Sequence, residues 1–210
     1  MADDLSMAIV ELKRDEVLDA VKKRTQGGED PIRIVEECRR GMEIVGEKYT
    51  KGEFFLSELI LSGEIFKKAF AILEPYLIKS GPAKPLAKVV IATLKGDIHD
   101  LGKSIVVTLL RARGFEVHDL GVDLEPKRLI EKVKEIRPEF VGLSCLMTTA
   151  LETMKQAAEI LKAEGLRQQL KLVIGGGVTT PGVRDYLDAD FQTVDAMEGV
   201  NYCLHVVGGK

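Results

Sequence analysis

VVIATLKGDIHDLGKS, residues 89–104, decides the fold, because a short run rich in β-branched residues passes through a polar, glycine-containing loop into a helical pattern. Four more β-prone runs follow and are separated by helical stretches: FEVHDLG (115–121), FVGLSC (140–145), LVIGGG (172–177) and DFQTV (190–194). Strands that alternate with helices form a parallel sheet covered on both faces, and such buried strands are nearly continuously apolar. The sequence therefore predicts an α/β domain with a doubly wound sheet of five parallel strands.

Upstream of residue 80 the apolar pattern is helical instead. One stripe recurs at spacings of three and four: Ile32, Val35, Cys38, Met42, Val45 and Tyr49. The segment 54–78 carries two stripes, one of Leu59, Phe66, Phe70, Leu73 and Leu77 and another of Leu61, Ile65, Ala69, Ile72 and Tyr76. A helix apolar on two faces must be covered on two sides. We therefore predict a small antiparallel four-helix bundle, whose first helices come from residues 3–12 and 15–25.

The segment KSGPAKPLAK (79–88) separates the two patterns and has two prolines, a glycine and three lysines. Such a composition is typical of a linker. We expect a helical domain over residues 1–80, a linker over 81–87, and a flavodoxin-like, Rossmann-like α/β domain over 88–210.

Helix starts support this division. Proline occupies an expected first turn after Asp30, Glu125 and Thr180. Thr149 and Glu152 have the spacing of a capping box, which predicts another helix start.

Composition excludes several classes of protein. The chain has 210 residues, a formal net charge of −3, and 45% hydrophobic against 30% charged residues, which argues against intrinsic disorder and gives nucleic-acid binding no support. Apolar runs fall short of the about 20 residues that a membrane-spanning helix needs, and the start MADDLSMAIVELKRDE lacks a signal-peptide pattern. We expect a cytoplasmic protein that binds neither nucleic acid nor membrane.

The three cysteines, Cys38, Cys145 and Cys203, lie far apart and form no CxxC pair. This spacing indicates neither a disulfide framework nor a zinc or iron–sulfur site. We expect small, buried hydrophobic side chains at these positions.

Ligands of an open doubly wound sheet bind outside the carboxyl ends of its strands. Three of these ends lead into loops with small or hydroxylated residues: residues 96–104, 144–149 and 175–180. The first resembles a phosphate-binding P-loop at Gly102-Lys103-Ser104. It has five residues between its glycines instead of four, however, and Asp97 and Asp100 would repel a polyphosphate. Nucleotide hydrolysis is therefore disfavoured.

The same loop places a carboxylate two residues before a histidine. In an extended segment residues i and i+2 point to the same side, so Asp97 can accept a hydrogen bond from one nitrogen of His99 while the other nitrogen faces outward. This is the arrangement of a metal-ligating histidine, although an isolated DxH is more often a surface ion pair. His118 and His205 lie elsewhere, and structural roles are favoured for both. A single outward histidine suggests a metal that arrives with its other ligands, as in a tetrapyrrole-type cofactor.

The other two loops offer space and hydrogen-bond donors. Gly175, Gly176 and Gly177 end a buried strand and are followed by Val178, which favours a cavity over a tight turn alone. Ser144 and Thr148 can donate into that cavity, or a threonine here can simply cap the following helix.

Taken together, these residues resemble the cobalamin-binding domain family. Its DxHxxG motif matches Asp97-Ile98-His99-Asp100-Leu101-Gly102, and a serine-bearing third loop and a GG-containing fourth loop follow in order. Residues 41–75 are similar to the helical cap that precedes this domain in cobalamin-dependent methionine synthase and in small corrinoid proteins of methyltransferase systems. The resemblance covers nearly the whole chain.

The resemblance implies how a corrinoid would bind. Its own lower base would be displaced, His99 would ligate cobalt from below, and Asp97 and then Ser144 would extend a hydrogen-bond chain from His99. The nucleotide tail would enter the sheet, and apolar residues of the cap would cover the upper face. Beyond the loop at Gly96 to Gly102, the implied contacts are Ser144, Leu146, Thr148, Gly175, Gly176, Gly177, Val178, Ala196, Met197, Glu198, Phe55 and Leu59.

By the same resemblance the protein is a methyl carrier. The axial ligation of cobalt changes as a methyl group is accepted and donated, and the protein tunes that chemistry. One cognate methyltransferase would load the methyl from a methylamine, methanol, methylthiol or methoxy compound, and another would unload it to a thiol or tetrahydropterin. A reductive activation protein is a further expected partner, and the chain is a carrier subunit more than an enzyme.

Three alternatives remain. A small subunit of an adenosylcobalamin mutase would share only the C-terminal domain, so the helical cap argues against it. A corrinoid-sensing regulator would carry a DNA-binding module, and the N-terminal segment has no basic recognition helix. A receiver-like signalling domain would leave His99 and the glycine loops unexplained.

Overall fold

The structure, a computed structural model, describes residues 5–77 and 85–208. Its contacts divide the chain into two compact units, Met1–Lys79 and Ser80–Lys210. Residues 81–84 of the predicted linker lie outside the described residues, so the domain boundaries stay a prediction. No helix in the described ranges is long and apolar enough to cross a membrane.

The first unit is helical, as its periodicity predicted. Its elements are α1 (Leu5–Val10), α2 (Arg14–Gln26), α3 (Pro31–Thr50) and α4 (Leu56–Leu77). Asp30 caps α3 as expected, because its side chain accepts a hydrogen bond from the N–H of Ile32 at 3.0 Å while Pro31 occupies the first turn. The core of this unit contains large side chains from all of these helices: Leu5, Ile9, Val17, Val21, Ile34, Ile65, Phe66 and Leu73.

Polar contacts fix how the first three helices meet. The guanidinium of Arg24 makes paired hydrogen bonds to the carboxylates of Glu29 and Glu37, which tie the end of α2 to α3. Gly41 lets α1 approach closely, since a Cβ there would lie 2.8 Å from the carbonyl oxygen of Ser6. Phe66 and Leu73 of the first stripe predicted for α4 are buried. So are Ile65 and Ala69 of the second stripe, whereas its ends, Leu61 and Tyr76, are exposed. Within the described residues, the expected cover on two sides is therefore incomplete.

The second unit contains the predicted five-stranded parallel sheet. Its strands are β1 (Lys88–Thr93), β2 (Glu116–Asp119), β3 (Phe140–Ser144), β4 (Lys171–Gly175) and β5 (Phe191–Thr193), in the order β2-β1-β3-β4-β5. In register, Thr93 of β1 pairs with Ser144 of β3, which pairs with Gly175 of β4. The fold class predicted from the sequence is confirmed, and the carboxyl ends of the three central strands lie side by side.

Helices cover both faces of this sheet. They are α5 (Leu101–Ala112), α6 (Pro126–Ile136), α7 (Leu151–Ala163), α8 (Pro181–Leu187) and α9 (Ala196–Gly208). The main core lies between the sheet and α6 to α8, where Val90, Ala92, Leu129, Leu143, Met154 and Leu187 are buried together. Because parallel crossovers are right-handed, α5 and α9, which pack against each other, cover the opposite face.

Two of the three helix starts predicted in this unit are confirmed. Proline occupies the first turn of α6 after Glu125 and of α8 after Thr180, and the Thr180 hydroxyl accepts the Val183 N–H at 3.2 Å. The capping box of Thr149 and Glu152 is wrong. A 3₁₀ turn over Thr148–Ala150 precedes α7, and Glu152 instead accepts a hydrogen bond from the Tyr186 hydroxyl at 3.0 Å.

The cysteines are free and buried, as expected. Burial raises the pKa of both Cys38 and Cys203 to about 12. These thiols therefore stay protonated near neutral pH and act as small apolar side chains.

We predict that Asp190 contributes charge-dependent stability. It accepts hydrogen bonds from the N–H of Leu172 at 2.8 Å and the amine of Lys171 at 2.9 Å, and its carboxylate lies 2.8 Å from the Arg167 guanidinium. Burial opposes ionisation, but these partners outweigh it and hold the pKa of Asp190 below its ordinary value. Asp190→Asn should lower the free energy of unfolding by about 1–2 kcal/mol at pH 7, measured by urea unfolding.

The difference should shrink with acidification, because a group with a depressed folded pKa stabilises above its unfolded pKa and loses that effect as pH falls through the folded value. The matched control is Asp185→Asn, which removes an exposed carboxylate whose ion pair within the described residues is with neighbouring Arg184. An equal loss in both variants, or a difference independent of pH, would contradict the assignment.

Candidate functional site

The strand order reverses between β1 and β3, and the chain leaves both strands at the same edge of the sheet. Three loops meet the solvent there: the His99 loop (residues 94–100), the 145–147 loop and the glycine loop (residues 176–180). Ligands of doubly wound sheets bind at such a reversal. The site predicted from the sequence therefore lies at the expected place in the fold.

Asp97 joins two of these loops. Its side chain is fully buried, and one carboxylate oxygen accepts hydrogen bonds from the N–H of His99 at 3.0 Å and from Nδ1 of the same histidine at 2.6 Å. The other oxygen accepts the N–H groups of Leu146 at 2.6 Å and Met147 at 3.1 Å. The hydrogen bonds of Asp97 beyond His99 therefore come from backbone N–H groups of the 145–147 loop, whereas the resemblance implies the Ser144 hydroxyl.

These donors keep Asp97 ionised. Burial raises its pKa, but hydrogen bonds from the N–H of Leu146, from the N–H and ring of His99, and from the N–H of Met147 outweigh it. The net pKa of Asp97 lies below the ordinary value. An ionised carboxylate only accepts hydrogen bonds, so Nδ1 of His99 carries the proton. In the neutral imidazole this tautomer leaves the lone pair on Nε2.

His99 presents this nitrogen from a fixed backbone. Buried Thr93, at the end of β1, donates its hydroxyl to the carbonyl oxygen of His99 at 3.0 Å. The imidazole itself is about half exposed, with 48% of its side-chain surface accessible. Among the described residues no cluster of three or more histidine, cysteine or acidic side chains could hold a metal ion. One imidazole suits a metal that brings the rest of its ligands, as cobalt in a corrinoid does.

Exposed apolar side chains lie on the two loops that Asp97 joins. Ile98 is 72% exposed, and Leu146 and Met147 are also exposed. Large exposed apolar side chains near an oriented imidazole are typical of a binding site for a large, partly apolar molecule. This donor set and these surroundings fit a corrinoid.

The packing around the three consecutive glycines differs from one to the next. A Cβ on Gly176, whose φ is +107°, would lie 2.2 Å from the carbonyl oxygen of Cys145. A Cβ on Gly175 would lie 3.1 Å from the Thr193 carbonyl oxygen, and one on Gly177 would lie 2.9 Å from the Leu146 side chain. Close packing accounts for Gly176, and Gly175 lies tightly against β5. The exposed Leu146 side chain can move away from a Cβ on Gly177, so packing does not explain that glycine. The part of all three in a cofactor cavity stays a prediction.

Gly102 differs from them. It lies in the first turn of α5, and a Cβ built on it meets no described atom within 4 Å. Alanine would suit a helix better there, by about 0.5–1 kcal/mol. Packing within the described chain therefore gives no reason for a glycine at this position.

Lys103 and Asp119 explain why the P-loop likeness fails. The Lys103 side chain is buried, and its amine donates to both carboxylate oxygens of Asp119, at 2.5 and 2.6 Å. A P-loop lysine must instead reach bound phosphate. The ion pair holds α5 against the end of β2.

The remaining predicted residues lie at two places in the second unit. Ser144 ends β3, and Thr148 is exposed at the start of the 3₁₀ turn. Ala196, Met197 and Glu198 form the first turn of α9, where Asp195 accepts the N–H groups of Met197 at 2.7 Å and Glu198 at 3.0 Å. Asp195 is a cap that the sequence analysis missed, although the Asp195–Glu198 spacing is that of a capping box.

Phe55 and Leu59 belong to the helical unit. Phe55 precedes α4 and is 73% exposed, and the N–H of Phe55 donates to the Glu58 carboxylate at 3.0 Å. Leu59 lies in the first turn of α4 and is half-buried. Their predicted contact with a cofactor is untested by the geometry of this unit.

The fold and the site together define a doubly wound domain that presents one carboxylate-oriented imidazole beside apolar side chains at its topological switch point. Comparison with known sequences agrees with that class. A family model described as a B12 binding domain matches residues 87–203, and a second model of the same description matches residues 1–74. A dimethylamine corrinoid protein of Methanosarcina mazei is 37% identical over 100% of this chain and 97% of its own length.

Solved structures give the same result. The monomethylamine corrinoid protein of Methanosarcina barkeri superimposes with a TM-score of 0.91 at 30% identity, and the match covers 97% of each chain. A chain of the methanol:cobalamin methyltransferase complex of Methanosarcina barkeri has a TM-score of 0.58 at 25% identity, with 100% of this chain and 80% of that chain covered. The protein therefore belongs to the family of corrinoid proteins with B12 binding domains, which confirms the resemblance noted in the sequence.

We predict that Gly176→Ala destabilises the α/β unit. The added Cβ would overlap the backbone of Cys145, and alanine is strained at a φ of +107°. The free energy of unfolding of the corrinoid-free protein should fall by more than about 2 kcal/mol in urea unfolding. Gly102→Ala is the matched control and should be neutral or stabilising. Equal stability of Gly176→Ala and wild type would disprove the close approach of the two loops.

Proposed function

We propose that this protein is a methyl carrier, which binds a corrinoid, receives a methyl group on cobalt from one methyltransferase and delivers it to a second. The observation that carries the proposal is the Asp97–His99 pair at the switch point, in a chain of the corrinoid-protein family. The named relatives are corrinoid proteins for dimethylamine and monomethylamine, and another similar chain belongs to a methanol:cobalamin methyltransferase complex. These names favour a methylamine as the methyl donor.

In this proposal Nε2 of His99 is the lower axial ligand of a corrinoid whose own base is displaced. When bound, the corrinoid supplies the cobalt that accepts and releases methyl. Asp97 holds the proton on Nδ1 and fixes the plane of the ring, since its 2.6 Å hydrogen bond is supported by N–H groups from two loops. Leu146, Met147 and Ile98 provide apolar contacts around the imidazole.

We place the nucleotide tail of the corrinoid beside Gly102 and along the ends of β3 and β4. The free space at Gly102 supports this path, because packing within the described chain gives no reason for the missing side chain. The Ser144 hydroxyl makes no hydrogen bond within the described chain, so it can donate to a ligand, as can exposed Thr148. The other residues proposed along the tail are Gly96, Asp100, Gly175, Gly176, Gly177, Val178, Ala196, Met197 and Glu198.

Phe55 and Leu59 are our proposed cover for the upper face of the corrinoid. The support is exposure: Phe55, Leu56 and Ile60 form an apolar group at the start of α4 that is largely uncovered by the described chain. An apolar cover would exclude water from the reactive face between transfers.

The proposed partners follow from the carrier role. Two methyltransferases must reach the upper face in turn, and a reductive activation protein would restore oxidised cobalt. The proposal places the carrier in the cytoplasm. It assigns the chemistry of the methyl donor and acceptor to its partners, so the chain is a carrier subunit more than an enzyme.

Axial ligation by His99 is tested by spectroscopy of the loaded protein. Protein containing ¹⁵N-histidine is loaded with cobalamin of natural isotope composition, and the cobalt is reduced to its paramagnetic Co(II) state. Ligation by a protein histidine predicts that the nitrogen superhyperfine triplet in the electron paramagnetic resonance spectrum becomes a doublet. A triplet in the labelled protein would show that the cofactor's own base is still bound.

The matched variants for this experiment are His99→Ala and His118→Ala. His99→Ala should lose the doublet. His118→Ala should keep it, because His118 lies on β2 and pairs with Glu116 at 2.8 Å. Loss of the doublet in both variants, or in neither, would contradict ligation by His99.

The variant Gly102→Ala tests whether the glycine at this position is needed for corrinoid binding or for the stability of the fold. We predict an unfolding free energy at least equal to that of wild type, and a corrinoid dissociation constant raised at least about tenfold, because a side chain there would obstruct the tail. Equilibrium titration followed by the absorption spectrum measures the constant. Unchanged affinity in the folded variant would show that the tail does not pass Gly102.

A further inference from the structure

The loop between β2 and α6 (residues 120–125, here the 120–125 loop) runs beside the end of β1 and the His99 loop. Backbone hydrogen bonds join the two segments, and this set of bonds is called the backbone brace. The N–H of Thr93 donates to the carbonyl oxygen of Gly121 at 3.0 Å. The N–H of Leu124 donates to the Thr93 carbonyl oxygen at 3.1 Å, and the N–H of Lys95 donates to the Leu124 carbonyl oxygen at 2.9 Å. A bridge between Leu94 and Leu124 results, so the parallel pairing of β1 continues into the His99 loop.

Asp123 extends this brace to the two residues that lead to His99. Its carboxylate oxygen Oδ1 accepts the N–H of Gly96 at 3.0 Å, and its own N–H donates to the carbonyl oxygen of Asp97 at 3.1 Å. The Asp123 side chain is exposed, so apolar burial does not explain its place. Its contacts instead fix the peptide units on both sides of Gly96–Asp97.

The backbone of Asp123 is strained to make these contacts. Its φ of +52° lies in the left-handed region, where Asn and Asp are tolerated better than most residues and glycine best. Strain of this kind persists only where the surrounding structure imposes it, and it concentrates near functional sites. Gly96 also has a positive φ, of +93°, so its backbone has alternatives that the Asp123 contacts exclude.

We propose that Asp123 is a positioning residue that holds the His99 loop in its ligating conformation and so sets the fraction of bound cobalt that carries the histidine ligand. The inference rests on the proposed function, because it concerns the same imidazole. The 145–147 loop holds the Asp97 side chain from one direction, and Asp123 holds the Gly96–Asp97 backbone from the other. With Asp123 in place, the imidazole is presented at a constant position. Without the carboxylate, the N–H of the Lys95–Gly96 peptide loses its partner. The turn that leads to Asp97 and His99, which the N–H of Asp97 also closes by donating to the Leu94 carbonyl oxygen at 3.2 Å, is then held less firmly.

The decisive variant is Asp123→Gly, because glycine accepts the left-handed backbone and removes only the carboxylate. Asp123→Asn keeps both the backbone preference and an oxygen acceptor for the Gly96 N–H. The matched control is Asp188→Gly, at an exposed position with nearly the same φ of +54°, at the end of α8. A general effect of placing glycine in a left-handed position would affect both glycine variants.

Two measurements give the result. Hydrogen exchange of the Gly96 amide in corrinoid-free protein reports the contact itself, and it should be at least about fivefold faster in Asp123→Gly. In protein loaded with cobalamin in the Co(II) state, the ¹⁵N-histidine doublet gives the ratio of histidine-bound to histidine-free cobalt. That ratio should fall at least about fivefold in Asp123→Gly and stay within about twofold of wild type in Asp123→Asn and Asp188→Gly.

The outcomes separate the two proposals. If wild-type protein binds cobalamin without a histidine doublet, the proposed ligation fails, and the role of Asp123 fails with it. If wild type shows the doublet and Asp123→Gly shows the same ratio, the positioning role is overturned while the carrier function stands. A loss of the doublet in Asp188→Gly equal to that in Asp123→Gly also overturns it.

Discussion

The buried carboxylate of Asp97 is the group on which the functional end of the sheet depends. A lone ionised group inside a protein is costly, and this one is stabilised only because donors from two loops converge on it. The N–H groups of Leu146 and Met147 point to it only when the chain turns sharply after β3. The same turn brings Cys145 against Gly176, which then cannot carry a side chain. The Asp97 carboxylate therefore links the ends of β1 and β3, and the turn that it stabilises packs against the end of β4.

This arrangement also decides what His99 can do. Nδ1 of the imidazole donates to the Asp97 carboxylate, which backbone N–H groups also hold in place. The ring therefore has a fixed orientation and tautomer. The backbone on either side of it is fixed by Thr93 and Asp123. If His99 ligates cobalt as proposed, changes in that ligation would be confined to the imidazole and the cofactor. The loop that carries the imidazole would stay in place.

The sequence predicted the features of this site that are encoded locally. The apolar run of β1, its change to a helical period in α5, and the two-residue spacing of Asp97 and His99 all lie within one short segment. The parallel order of the sheet followed from the alternation of strands with helices and placed the loops at one edge. The first turns of α3, α6 and α8 followed from Asp30, Glu125 and Thr180 before proline.

Other features depend on contacts between distant segments, and no local pattern encodes them. The donors of Leu146 and Met147 are backbone groups, so any residue supplies them and only the turn after β3 aims them. Thr149 fails to cap α7, because the 3₁₀ turn that positions this loop displaces the helix start to Leu151. Asp123 is an ordinary loop aspartate in sequence, and its contact with Gly96 exists only because β1 and β2 are neighbours. A motif thus identifies the imidazole proposed to meet the ligand, whereas the residues that fix the position of this imidazole are recognised from the fold.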